Sequence, residues 1–234
     1  MSSKLWLIVS APLALAACPP PPGSAAGGDT TAGGTASAGA AIDPEACGSL
    51  DDSDAGRKLH AFLVASAELD RTTAELEHSV WDSCRKMAVE LGVTPVGPTK
   101  ELCTKVANAL HDNLDVSVSH EKRLVTRTVP AECHTDISLS AAFTAQCEGN
   151  ASAGTNGSQA SAECRAAGDV HAAANTVCTE PKVEVVQQDV TVVDATKFQA
   201  AVAAINAGLP NLLKVQKRLE VAGKSLETWA DSGA

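Results

Sequence analysis

A repeated cysteine frame restricts this chain more than any other feature. Ala131-Glu132-Cys133, followed after thirteen residues by Cys147, recurs as Ala162-Glu163-Cys164, followed after thirteen residues by Cys178. The offset is 31 residues, and Ala141-Ala142 match Ala172-Ala173 inside it. Two copies are too few for a solenoid, so the spacing reads as a duplicated strand. The two cysteines of one such strand would lie about 45 Å apart, at about 3.4 Å per residue. A disulfide needs Cα atoms within about 7 Å, which excludes Cys133–Cys147 and Cys164–Cys178. Antiparallel pairing of the two segments gives partners a constant index sum. Cys133 with Cys178 and Cys147 with Cys164 both sum to 311, so one register closes both cross-links. The inference requires both segments to be extended; a helical 164–178 segment would remove it.

Cys84 and Cys103 yield to similar reasoning. They lie nearly symmetrically about a loop centred near residue 95, so an antiparallel helical hairpin brings them together. Each such bond adds about 2–4 kcal/mol by constraining the unfolded chain. Cys47 is then left over: free, paired with a second molecule, or displacing one of these assignments. The weaker reading treats these cysteines as buried small apolar residues.

Periodicity predicts an α+β fold, with an N-terminal αα-hairpin, a small antiparallel sheet of three to four strands and a C-terminal kinked helix or helix pair. From Asp54 to Leu91, residues Leu59, Phe62, Leu69, Leu76, Val80, Met87 and Leu91 share one helical face. Asp51 to Asp54 offer caps and Gly92 a stop. A second helix starts near Thr99 and carries Leu102, Val106, Leu110 and Leu114. After Asp115 the period changes to two, at Val116 and Val118, and Arg123 to Val129 is rich in β-branched residues.

The clearest predicted strand follows, with Thr135, Ile137, Leu139, Ala141, Phe143, Ala145 and Cys147 on one face. Residues 149–161 read as a loop, 164–178 as a second alternating run, Glu180-Pro181 as a turn and 183–193 as a third strand. Asp194 or Thr196 caps a helix with Phe198, Val202 and Ile205, which Gly208-Leu209-Pro210 breaks or kinks. Leu212, Leu219, Leu226 and Trp229 continue its stripe. Helices, then strands, then helices argue against a parallel α/β fold. The predicted organisation is a helical hairpin over 47–115, a sheet over 116–193 and helices over 194–234, together one domain.

The N-terminus carries an address. Lys4 precedes an apolar stretch from Leu5 to Ala17 that is interrupted only by Ser10 and Pro12. It is shorter than the roughly 20 residues a membrane span needs, and it has the length of a signal-peptide core. Leu15-Ala16-Ala17-Cys18 resembles the lipobox of bacterial lipoproteins. That resemblance implies removal of residues 1–17, lipid on Cys18 and attachment to a membrane. Pro19 in place of Asp resembles outer-membrane sorting, with the domain facing the periplasm or the cell surface. Residues 18–46 begin with Pro19 to Pro22, turn rich in Gly, Ala, Ser and Thr, and read as a disordered tether.

Removal of Lys4 leaves 17 basic against 28 acidic side chains, a net charge of −11. That balance opposes nucleic-acid binding and electrostatic docking on anionic lipid. The three Phe, three Trp and absent Tyr leave packing to Ala, Val and Leu. Such a core gains from covalent staples, and an exported chain meets the oxidising conditions that form them.

No pattern for catalysis stands out. There is no Cys-x-x-Cys, His-Glu-x-x-His, Gly-x-Ser-x-Gly, Walker or Rossmann glycine pattern. His111, Asp112, Asp115, His120 and Glu121 form the densest group of metal-capable side chains, and a polar helix end explains them more simply. His134 and His171 fall on the predicted outer face of the strands. Asn150-Ala-Ser and Asn156-Gly-Ser match a glycosylation sequon that has no role in a bacterial lipoprotein. No cofactor or metal is expected.

Cys18 in its lipobox, Cys178-Thr-Glu-Pro-Lys-Val-Glu-Val and Gly208-Leu209-Pro210-Asn-Leu-Leu-Lys together resemble a group of uncharacterised, cysteine-bearing myxobacterial lipoproteins. The likeness covers mainly residues 131 to 220, and it implies no activity. The expected function is therefore that of a non-enzymatic, lipid-anchored envelope protein with a structural or protein–protein interaction role, through another envelope protein or self-association of its helices. The alternative is a module holding an apolar ligand or lipid between helices and sheet.

Overall fold

A computed structural model describes residues 53–117, 125–149, 161–186 and 192–232. The stretch read as a signal peptide, Cys18, the stretch read as a tether and Cys47 lie outside the described residues, as do Val118, His120, Glu121, Arg123, Asn150, Asn156 and residues 187–191. No described helix is long and apolar enough to cross a membrane.

Two long helices form the frame. Helix α1 spans Asp54–Glu90, with Ser53 as its cap accepting from the Gly56 amide at 3.0 Å. Gly92, at φ 68°, follows its end. Helix α2, Thr99–Ser117, folds back against α1. It therefore runs through Val116, where the period-two reading placed a strand; helical burial of Leu102 and Val106 governs this segment instead.

The largest departure concerns the cysteine repeat. Strands β1 (Val125–Val129) and β2 (Cys133–His134) lead into helix α3, Ile137–Cys147. Helix α4, Ala162–Ala174, leads into β3 (Val177–Cys178) and β4 (Lys182–Val186). Residues 135–147 and 164–178 are therefore not two strands. Asp136 accepts from the Ser138 amide at 2.9 Å and starts α3 as a helix cap. Ser161 does the same for α4 through the Cys164 amide. Ile137 is 80% exposed and Leu139 is 38% exposed, while Thr144 and Cys147 are buried. The buried positions fall at helical spacing.

The repeat thus takes two conformations. Cys133 opens a strand before a helix, whereas Cys164 sits in the first turn of a helix before a strand. The two arms fold as mirror-ordered halves of one hairpin. Val125 pairs with Val186, Arg127 with Glu184, Val129 with Lys182 and Cys133 with Cys178, every pair summing to 311. On this register Pro130 falls opposite Pro181. Neither proline has an amide hydrogen, and the ladder divides there into two two-stranded ribbons, β1–β4 and β2–β3. These ribbons replace the expected sheet of three to four strands. Glu180-Pro181 does not reverse the chain, because β3 and β4 continue along the same arm.

Helix α5, Ala195–Asp231, completes the fold as one helix through Pro210. Asp194 caps it by accepting from the Thr196 and Lys197 amides, each at 3.1 Å. Long-range packing and a side-chain bond support this stretch, where a break or kink was expected and the helix is unbroken. Asn211 Nδ2 donates to the Ser79 carbonyl at 3.1 Å and to Ser83 Oγ at 2.7 Å. Gly208 lets α5 approach α1, since a Cβ there would lie 2.6 Å from Met87 Sδ and 2.8 Å from the Ser83 carbonyl.

Helices α1 and α5 each contain 37 residues and are about 55 Å long at about 1.5 Å per residue. They run antiparallel: Phe62 meets Trp229 at 5.0 Å between ring centroids, while Met87 meets Gly208 at the other half. The buried seam of α1 is mostly small residues, including Ala61, Ala65, Thr72, Ser83 and Ala88, with Leu76 and Met87 the larger ones. Leu59 and Leu219, placed by periodicity on apolar faces, are 49% and 52% exposed.

Candidate functional site

The structure brings together six of the cysteines singled out in the sequence. Cys84 is bonded to Cys103, Cys133 to Cys178 and Cys147 to Cys164, with Cα separations of 5.2, 4.0 and 5.7 Å. No described cysteine is free. Each bond joins the two arms of a hairpin: α1 to α2, β2 to β3, and the end of α3 to the start of α4.

The α3–α4 hairpin is seated on the long helices by two arginines. Arg57 of α1 donates from Nε to the Cys147 carbonyl at 3.3 Å, at the C-terminal end of α3. Arg218 of α5 donates from Nη2 to the Ala174 carbonyl at 3.3 Å, at the C-terminal end of α4, where Thr72 Oγ1 also donates at 3.3 Å. Cations there oppose the negative end of each helix dipole. Both contacts join residues distant in sequence, and the periodic pattern gave no sign of them.

Two open grooves with charged side chains lie along α1 and α5 near the end of α4. An open groove of about 680 Å³ is lined by Asp70, Arg71, Glu75, His78 and Arg218. A neighbouring one of about 300 Å³ shares Arg71, Glu75 and Arg218 and adds Asn175 and Lys214. Arg71 bonds Glu68 through Nε at 3.1 Å and also pairs with Glu75. Hydrogen bonding from Arg71 holds the Glu68 carboxyl below its ordinary range against the opposing effect of burial, and Asn175 adds a second hydrogen bond. The same partnership raises the Arg71 guanidinium further above its ordinary value. A smaller groove, about 200 Å³, is lined by Thr135, Ser140, Asp169, Lys224, Ser225 and Thr228, with Ser140 Oγ donating to Asp169 at 2.7 Å. Ala67 and Ala74 also line the first groove and Ile137 and Ala172 the third, so the walls mix charged, hydroxyl and apolar groups.

Among the described residues, the histidines do not form a cluster. His111 lies 3.7 Å from Asp112, and both side chains are about four-fifths exposed, at 78% and 80%. His134 is exposed on β2. His171 corrects its predicted outer-face position: it stacks on Phe143 with centroids 4.7 Å apart, and its Nδ1 is buried. Among the described residues, no group of three or more His, Cys, Asp or Glu side chains is placed to hold a metal ion.

No protein-family model matches the chain. No curated protein and no solved structure matches it either.

Proposed function

We propose that this chain is a lipid-anchored envelope protein, held by lipid on Cys18, whose stapled helical domain serves a structural or protein–protein interaction role without catalysis. The lipobox-like Leu15-Ala16-Ala17-Cys18 supports the anchor. The antiparallel frame of α1 and α5 is the observation that carries the rest. Because Phe62 meets Trp229, the start of α1 and the end of α5 lie at one pole. A tether entering at Ser53 would therefore leave the opposite pole, with the α1–α2 loop, projecting outward by the length of a long helix. The disulfides suit a domain that must keep its shape outside the reducing cytosol. The alternative reading is an apolar ligand or lipid held between helices and sheet.

The test is intact mass and membrane fractionation of the native protein beside Cys18→Ser. The expected native species begins at Cys18, carries acyl mass and sediments with membranes, while Cys18→Ser is released. Recovery of native protein with Met1 retained, or with Cys18 unmodified, overturns the anchor. A defined substrate turned over by the purified domain overturns the non-enzymatic role.

A further inference from the structure

Packing in this domain rests on unusually small side chains. Among the described residues, twenty-four apolar ones are buried, and twelve of these are alanine and four are cysteine. Apolar stabilisation scales with buried area, so each alanine contributes little, and larger side chains such as Trp81, Phe143 and Trp229 pack against this interior only from partly buried positions. Twelve of the buried apolar residues gather in two separate clusters. One joins Ala61, Ala65, Ala167 and Val170 around Cys147 and Cys164. The other joins Met87, Ala88, Leu102, Val106 and Ala204 around Cys84, with Cys103 packed against it. Each core therefore contains a disulfide as part of its packing.

We propose that this arrangement makes the fold redox-conditional, each core holding together only while its own disulfide is closed. The chemistry is ordinary thiol exchange with a dithiol reductant. One reductant thiolate attacks a Sγ and forms a mixed disulfide; its second thiolate then displaces the protein sulfur. The cystine gains two electrons and two protons, and the reductant leaves as its own disulfide. Cys147 and Cys164 are 4% and 0% exposed among closely packed helices, so the reductant reaches their bond only when α3 and α4 open.

The position of each bond determines which elements it controls. Cys147–Cys164 governs α3, α4 and the half of α1 near Ala61; Cys84–Cys103 governs α2 and the half of α1 near Met87. The long helices α1 and α5 connect the two. A chain built this way stays unfolded in a reducing compartment and folds when a dithiol oxidant closes its bonds. Folding is thereby coupled to arrival in an oxidising compartment, whatever partner the folded domain then meets.

The test uses the oxidised full chain, followed by peptide-resolved hydrogen exchange and circular dichroism as dithiothreitol is added. The double variants Cys147→Ser/Cys164→Ser and Cys84→Ser/Cys103→Ser are measured beside it. Full reduction is expected to abolish the cooperative melt and the amide protection of α3, α4 and α2. The first variant should lose protection in α3 and α4 while keeping it in α2, and the second should show the reverse. Retention of a cooperative melt within about 5 °C of the oxidised protein after complete reduction overturns the proposal. Loss of protection throughout the domain in either variant overturns the independence of the two cores.

Discussion

Arg218 on α5 reaches the carbonyl of Ala174, the last residue of α4, at 3.3 Å. The same carbonyl accepts from Thr72 on α1, also at 3.3 Å, so one oxygen at a helix end joins three helices. Arg218→Met keeps much of the apolar stem and removes the donor. It should destabilise the domain by about 1 kcal/mol, a moderate value because the arginine is only half-buried. Arg218→Lys restores charge without the planar fork and should recover only part. Urea unfolding midpoints of the three proteins check this order.

Three helical glycines should respond to alanine with different signs. Propensity alone favours each substitution by about 1 kcal/mol. At Gly168 a Cβ would lie 2.7 Å from the Ser140 carbonyl, and at Gly208 it would lie 2.8 Å from the Ser83 carbonyl. Backbone obstacles of this kind cannot swing aside, so Gly168→Ala and Gly208→Ala should each cost about 1–3 kcal/mol. At Gly223 a Cβ would meet nothing within 4 Å, and Gly223→Ala should stabilise. Thermal melts showing the same sign at all three positions would refute the close approaches.

The cysteine pairing was legible because a constant index sum holds for any antiparallel hairpin, whether its arms are strands or helices. It did not depend on the extended arms from which it was argued. The excluded pairing also stays excluded, since the 11 residues of α3 rise about 16 Å, beyond disulfide reach. The arms themselves were misread for a specific reason. The buried face of α3 includes polar Thr144, while Ile137 and Leu139 face outward, so hydrophobicity alternated along the chain without marking the core. Asp136 as a helix cap was the available signal. The small-residue seam of α1 was hidden similarly, because Ala61 and Ala65 carry less apolar weight than the exposed Leu59. The arginine caps had no local pattern, their partners lying 90 and 44 residues away.

Acid should weaken the junction of α1 with the end of α4. Hydrogen bonding from Arg71 lowers the Glu68 carboxyl below its ordinary 4.5. A group depressed on folding stabilises the native state above its unfolded value, and that contribution is lost as pH falls through the folded value. Wild type should therefore lose stability below about pH 4.5 in a part that Glu68→Gln does not show. Unfolding midpoints measured at neutral pH and at pH steps below about 4 compare the two. Equal acid losses would remove Glu68 from the account.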